Sequence, residues 1–160
     1  MTWIKNHLFD IIAVLILLVF ASAWIAVLAQ VWAYPPVDPA LPAGTVPPVA
    51  PRLELSSALV LAAGVLATTI GTQTAAALGF AVAEVAAANP TRTTTAQDVA
   101  QKLPLWTYVG ILVYLLVGLA VFITWLVKEQ TAPEVVIAFA LSLLGWLIGA
   151  ASVVFKPATR

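Results

Sequence analysis

The feature that most constrains this chain is its division into four long apolar runs: Ile11 to Ala33, Ser56 to Ala88, Leu105 to Val127 and Glu134 to Phe155. A helix that crosses the hydrocarbon of a bilayer needs about 20 mostly apolar residues, and each run is at least that long. Composition agrees: hydrophobic residues make up 62% of the 160 and charged residues 9%, where a soluble domain carries roughly 45–50% and about 25%. The expected fold is an all-α integral membrane protein, one membrane domain of four transmembrane helices in an antiparallel helical bundle.

The first run is preceded by Lys5 and passes through Ala21-Ser22-Ala23, which resembles a signal-peptide cleavage site. It continues well beyond that point to Trp32, long enough to span, and is read as a retained helix. The connector at 34–55 holds Pro35, Pro36, Pro39, Pro42, Pro47, Pro48 and Pro51. Proline cannot continue a helix and biases its neighbours to extended backbone, so a stiff, extended segment is predicted there. The loop at 89–104 opens on Asn89-Pro90, a helix stop, and is predicted to hold a short helix through Thr95 to Leu103. The last connector, Lys128 to Pro133, is short enough to make the third and fourth spans a hairpin.

Basic residues near the spans set orientation. With the N-terminus inside, the inner side holds Lys5, Arg92, Lys102, Lys156 and Arg160 and the outer side Arg52 and Lys128, five of the seven basic residues against two. Both termini are therefore expected in the cytoplasm, the 34–55 connector outside and the 89–104 loop inside. Trp32, Tyr34 and Trp125 then fall at one interface and Trp106 and Tyr108 at the other, where amphipathic rings settle.

The second span carries a small-residue ridge. Steps of four give Ala63, Ala67, Gly71, Ala75, Gly79, Ala83 and Ala87, with no large side chain among them. Between helices in lipid there is little hydrophobic drive, so close backbone approach along such a row is a main source of association. Each step overshoots a turn by about 40°, so the row winds around the helix. Gly145 and Gly149 form a GxxxG pair on the fourth span. These ridges either pack against each other within one chain or bring separate chains together, and two ridges allow both.

The second span also carries polar groups near its centre. If it enters the hydrocarbon near Leu59, about 20 residues take it to Leu78, and Thr68 and Thr69 lie near mid-depth. Thr68, Thr69, Thr72 and Thr74 can return their hydroxyls to carbonyls one turn earlier. Gln73 cannot satisfy its amide on its own helix, and an unpaired amide in hydrocarbon costs on the order of several kcal/mol, so a partner on another helix is expected. The same estimate puts Ser22 and Trp24, Tyr114, and Ser142 and Trp146 near the middle of the other spans. Mid-depth Trp and Tyr are expected to face protein. Ser22, Thr69, Thr72, Gln73, Tyr114 and Ser142 thus form either a polar layer that fixes helix register or the wall of a water-filled path.

Glu84 sits inside the second run, yet a helix over Ser56 to Ala88 would be about 50 Å long against about 30 Å of hydrocarbon. Counting from Leu59 places Glu84 about 9 Å beyond the core, among the headgroups, where it pairs with Arg92 or Lys102 or takes part in ion binding. Asp10, near His7 and Lys5, reads as a favourable charge at a helix N-terminus.

One histidine and no cysteine exclude the usual zinc, haem and copper sites. There is no serine-with-histidine or paired intramembrane aspartate arrangement and no glycine-rich phosphate loop. No basic stripe suits nucleic acid, and no internal repeat or midplane charge suits a coupled transporter. The chain is expected to be no enzyme, to need no cofactor and to have as partners the lipid bilayer and other membrane subunits or copies of itself. Two functions fit: an accessory or structural subunit of a larger membrane assembly, or a homo-oligomeric pore with the second span lining its lumen. The outline is similar to that of some phage holins, a likeness of architecture carried by no motif, and implies a bacterial or phage-encoded protein of the inner membrane.

Overall fold

The structure is a computed structural model and describes residues 2–34, 53–88 and 96–154. The proline-rich segment at 35–52, Arg92 and the last six residues, with Lys156 and Arg160, lie outside the described residues. Within them the chain is helical: α1 (Thr2–Ala33), α2 (Ser57–Ala88), α3 (Ala96–Lys102), α4 (Leu105–Lys128), a 3-10 turn at Glu129–Thr131, and α5 (Glu134–Val154). Four stretches are long and apolar enough to cross a membrane, His7–Ala33, Ser57–Val85, Leu105–Lys128 and Glu134–Ala151, and α2 is the least apolar of them.

Local chemistry explains the boundaries. Helix α1 starts nine residues before the first apolar run, because hydropathy marks only the part suited to lipid while Thr2 to Asp10 contains no Pro or Gly to stop a helix. At the start of α2 the Ser56 hydroxyl accepts the backbone N–H of Leu59 at 3.3 Å, an N-cap. Pro104 and Pro133 precede α4 and α5, and their carbonyls accept the first helical bonds, from Tyr108 at 3.1 Å and Val136 at 3.0 Å. Between α4 and α5 the backbone turns at Glu129, the one described non-glycine residue at positive φ, 37°.

Contacts along the helices fix how they run. Leu17 approaches Gly110, Phe20 stacks on Tyr114 and Trp32 bonds to Thr124, so α1 and α4 progress together. Gly118 meets Leu143 and Tyr114 meets Trp146, so α4 and α5 run oppositely. The core is divided unequally. Helices α1, α4 and α5 supply its aromatics: Trp24 and Phe139 lie 4.5 Å apart between ring centroids, Tyr114 and Phe139 5.4 Å, and Tyr114 and Trp146 5.9 Å. Trp24 and Tyr114 are fully buried, as mid-depth rings facing protein should be, and Trp146 is half-buried. Helix α2 supplies the small surface against which they close, Ala63, Ala67 and Gly71. A built Cβ on Gly71 would lie 2.7 Å from the Tyr114 hydroxyl oxygen, and one on Gly118 2.8 Å from a Leu143 methyl.

Two smaller contacts tie the ends. Helix α3 lays Val99 against Ala81 and Val85 of α2, and Lys102 Nζ donates to Glu84 Oε1 at 3.0 Å. At the other end Trp32 Nε1 donates to Thr124 Oγ1 at 3.1 Å. There Lys128 Nζ donates to the Tyr34 carbonyl at 3.1 Å and stands 5.4 Å from the Trp32 ring centroid, an attractive cation–π placement.

Candidate functional site: the outward face of α2

The residues singled out in the second span separate onto two sides of α2. Ala63, Ala67 and Gly71 are buried against the other helices, whereas Ala75, Gly79 and Ala83 are exposed. Helical geometry is the cause: four steps of four residues rotate the row by about 160°, so its second half faces away from the bundle that its first half joins. One half of the ridge is spent inside the chain and the other is open. Among the described residues nothing lies within 4 Å of a Cβ built on Gly79.

The polar residues divide in the same way. Thr74 is buried and donates to Gly71 O at 3.0 Å. Thr68 and Thr72 are exposed but donate to Gly64 O at 2.9 Å and Thr68 O at 2.8 Å, which disposes of their hydroxyls within the helix. Thr69 and Gln73 are exposed and neither forms a side-chain hydrogen bond with any described residue. The partner helix that Gln73 requires is not among the described parts of its own chain. Of the other groups at that level, the Tyr114 and Ser142 hydroxyls are hydrogen-bonded to each other across α4 and α5, and Ser22 faces outward on α1.

Helix α5 presents a second, shorter outward row, Ala138, Ser142, Gly145 and Gly149, all exposed, with no described atom within 4 Å of a Cβ built on either glycine. Glu84 is exposed near the C-terminal end of α2 and is held by Lys102, one of the two pairings its position allowed. Among the described residues no group of three His, Asp or Glu side chains could hold a metal ion.

Sequence reasoning missed three features. Gly118 packs as tightly as Gly71 but belongs to no small-residue row on α4; only its isolation among bulky residues hinted at a close contact. The indole nitrogens of Trp24 and Trp146 are buried with no hydrogen-bond partner among the described residues, which sequence cannot show because it depends on where the rings point. Finally, a shallow, wide-open groove runs between α2 and α5, with Val60, Gly64 and Thr68 on one side and Glu134, Val135 and Ala138 on the other.

No protein-family model matches the chain, and no curated protein or solved structure matches it. The outward face of α2 therefore has to be interpreted from its own chemistry.

Proposed function

We propose that this protein is a non-catalytic subunit of a larger membrane assembly, with both termini in the cytoplasm, and that it docks through the outward face of α2. The observation that carries this reading is Gln73, an amide midway along a span, exposed on the outside of the bundle and without a hydrogen-bond partner among the described residues. Facing lipid, it would lose on the order of several kcal/mol of hydrogen bonding. Beside it Thr69, Thr72 and Ala76 are small and exposed, and Gly79 and Ala83 continue the exposed side of α2, so another helix can approach closely there. Such a helix would shield the amide and bond to it. The basic residues near the ends of the spans support the orientation.

The test is the mass of the native complex in mild detergent. Gly79→Leu fills the open half of the ridge and Gln73→Leu removes the amide; both should release the subunit to its own 16.8 kDa plus detergent. A wild-type protein already at that mass when extracted from its native membrane would overturn the proposal.

A second reading, a homo-oligomeric pore of holin-like type, draws on Thr69, Thr72 and Gln73 sharing one exposed face. Aromatic side chains fill the bundle, so any lumen must lie between copies rather than within one. Liposomes containing the purified protein would leak small ions, and Gln73→Leu would reduce the leak; tight vesicles rule this reading out.

A further inference from the structure

The exposed side of α2 has a second period besides the four-residue one. Ala62, Thr69, Ala76 and Ala83 stand seven residues apart, with Val65, Thr72 and Gly79 between them, and each of these is exposed. Seven residues fall about 20° short of two full turns, so such a row stays on nearly one side of the helix and coils left-handedly. The four-residue row, by contrast, comes free of the bundle only at Ala75. From Ala62 to Ala83 is about 32 Å of helix rise, enough to cross about 30 Å of hydrocarbon. The seven-residue row also lies on the opposite side of α2 from Ala63, Ala67, Ile70 and Thr74, which face the core. A helix pairing with α2 along it therefore lies outside the bundle, and a whole bundle attached to that helix has room on the far side.

The flanks of the row determine which helix fits. In a parallel left-handed pair, the side chain just before one seam position meets, on the other helix, the side chain just after the next, about five residues further on. On one flank of α2 lie Thr68 and Ala75, on the other Gln73 and Phe80, all four exposed. Gln73 of one copy then faces Thr68 of a second, and Phe80 faces Ala75. Gln73 has no hydrogen-bond partner among the described residues. The Thr68 hydroxyl donates its proton to Gly64 O at 2.9 Å and keeps lone pairs that accept the Gln73 amide N–H. Phe80, 76% exposed, is set over a methyl group. Copies inserted in the same orientation are parallel and bring the same groups to the same depth, so a two-fold axis along the membrane normal satisfies both Gln73 amides at once. A different partner needs its own polar group at that depth; a second copy brings one by symmetry.

We infer that the partner on the outward face of α2 is a second copy of this chain, paired in parallel as a left-handed two-helix coil along Ala62, Thr69, Ala76 and Ala83 and joined by two symmetric hydrogen bonds from Gln73 to Thr68. The inference rests on the α2 docking face proposed above and names its occupant, its handedness and the bond that holds it. Left-handed crossings of about +20° prevail among membrane helices, and small seam residues let the two backbones close in.

The chain holds no cysteine, so single introduced cysteines report contacts between copies without background. In native membranes treated with copper phenanthroline, full-length Thr69→Cys and Ala76→Cys, both on the seam, should form covalent dimers at twice 16.8 kDa. Leu116→Cys, exposed on α4, should remain single. Seam cysteines that cross-link no more than Leu116→Cys, with the wild-type complex still above the single-chain mass, would mean a different protein on α2; the second copy is then overturned and the docking face stands. A wild-type complex at the single-chain mass overturns both. Energy transfer between labelled chains diluted in mild detergent weighs the bond. Gln73→Leu and Thr68→Val should each raise the dimer dissociation constant about tenfold, equivalent to about 1.4 kcal/mol for the two bonds, and the double variant should be no weaker than either. Additive losses would overturn the pairing of Gln73 with Thr68. Should either variant lose helicity by circular dichroism, Gln73→Met and Thr68→Ala remove the same groups and decide the question.

Discussion

The Tyr114 hydroxyl on α4 sits against the bare backbone of Gly71 on α2, with its oxygen 2.7 Å from where a Cβ would be. This contact assigns Gly71 to the inside of the chain. Adding a methyl group must displace a fully buried ring that also packs on Phe20, Phe139 and Trp146. Gly71→Ala is expected to destabilise the monomer by about 1–3 kcal/mol, as overpacking of a close-packed core does. Removing the hydroxyl with Tyr114→Phe should recover part of that cost, and not all, because the ring carbon behind it would still be 3.1 Å from the new methyl. A double-mutant cycle in a detergent unfolding titration measures the coupling; additive effects of the two changes would contradict the contact.

Gly79 is the counterpart eight residues on. The same small residue there faces open space, so Gly79→Leu should leave the unfolding midpoint of the isolated chain within about 0.5 kcal/mol of wild type, as exposed substitutions usually do, less the propensity gained by replacing glycine in a helix. Loss of the larger native complex with unchanged monomer stability is the expected pair of results. Monomer destabilisation comparable to that of Gly71→Ala would place Gly79 in the core instead.

These two glycines mark how far the sequence could be read. The number of spanning helices was legible because it depends on length and apolarity alone, and the small-residue row because it depends on a four-residue period. Which half of the row turns inward was not legible. That choice depends on where the Phe20, Trp24, Tyr114 and Phe139 rings meet, and those rings come from three other helices. Gln73 was recognisable from its chemistry as needing a partner. That its neighbours Thr68, Thr72 and Thr74 satisfy themselves within α2, while no described residue hydrogen-bonds to the Gln73 side chain, emerged only from the side-chain placements. The α2–α5 groove was invisible in the sequence, since it arises from the spacing between two helices.

Trp24 sets two effects against each other. Its indole nitrogen is buried without an acceptor among the described residues, an arrangement that costs roughly 1–3 kcal/mol of desolvation, while its ring fills the contact with Phe139. Trp24→Phe removes the orphaned donor and some volume together, so the change in stability should be small, less than about 1 kcal/mol in either direction. Trp24→Ala removes the packing as well and should cost about 3–5 kcal/mol. Unfolding titrations of both variants separate the terms; a Phe variant as damaged as the Ala variant would mean that the nitrogen has an acceptor after all.

Helix α3 is held to α2 by an exposed ion pair and a buried valine, and their weights differ. The Lys102 and Glu84 side chains are 48% and 62% exposed, so the pair is worth at most about 1 kcal/mol and weakens with salt. Val99 is buried against Ala81 and Val85, and its replacement by Asp puts a charge into that apolar contact. Limited proteolysis of the 89–104 region should accelerate far more for Val99→Asp than for Lys102→Ala, and only the Lys102 effect should fade as salt is raised.

Glu129 ends α4 with φ at 37° and ψ at −103°, a backbone conformation that a side chain disfavours and glycine accepts. Its N–H bonds back to the Trp125 carbonyl, so the residue closes the helix, and its strain is held in place by the short connection to α5 and by the Thr131 hydroxyl on Lys128 O at 2.8 Å. Relief of such strain is worth on the order of 1–3 kcal/mol, offset by about 1 kcal/mol of extra freedom that glycine brings to the unfolded chain. Glu129→Gly should therefore raise the unfolding midpoint or leave it unchanged, while the β-branched Glu129→Val should lower it. The order Gly, Glu, Val in stability, measured in the same detergent titration, checks the turn; a destabilised glycine variant would show that the carboxylate contributes more than the backbone loses.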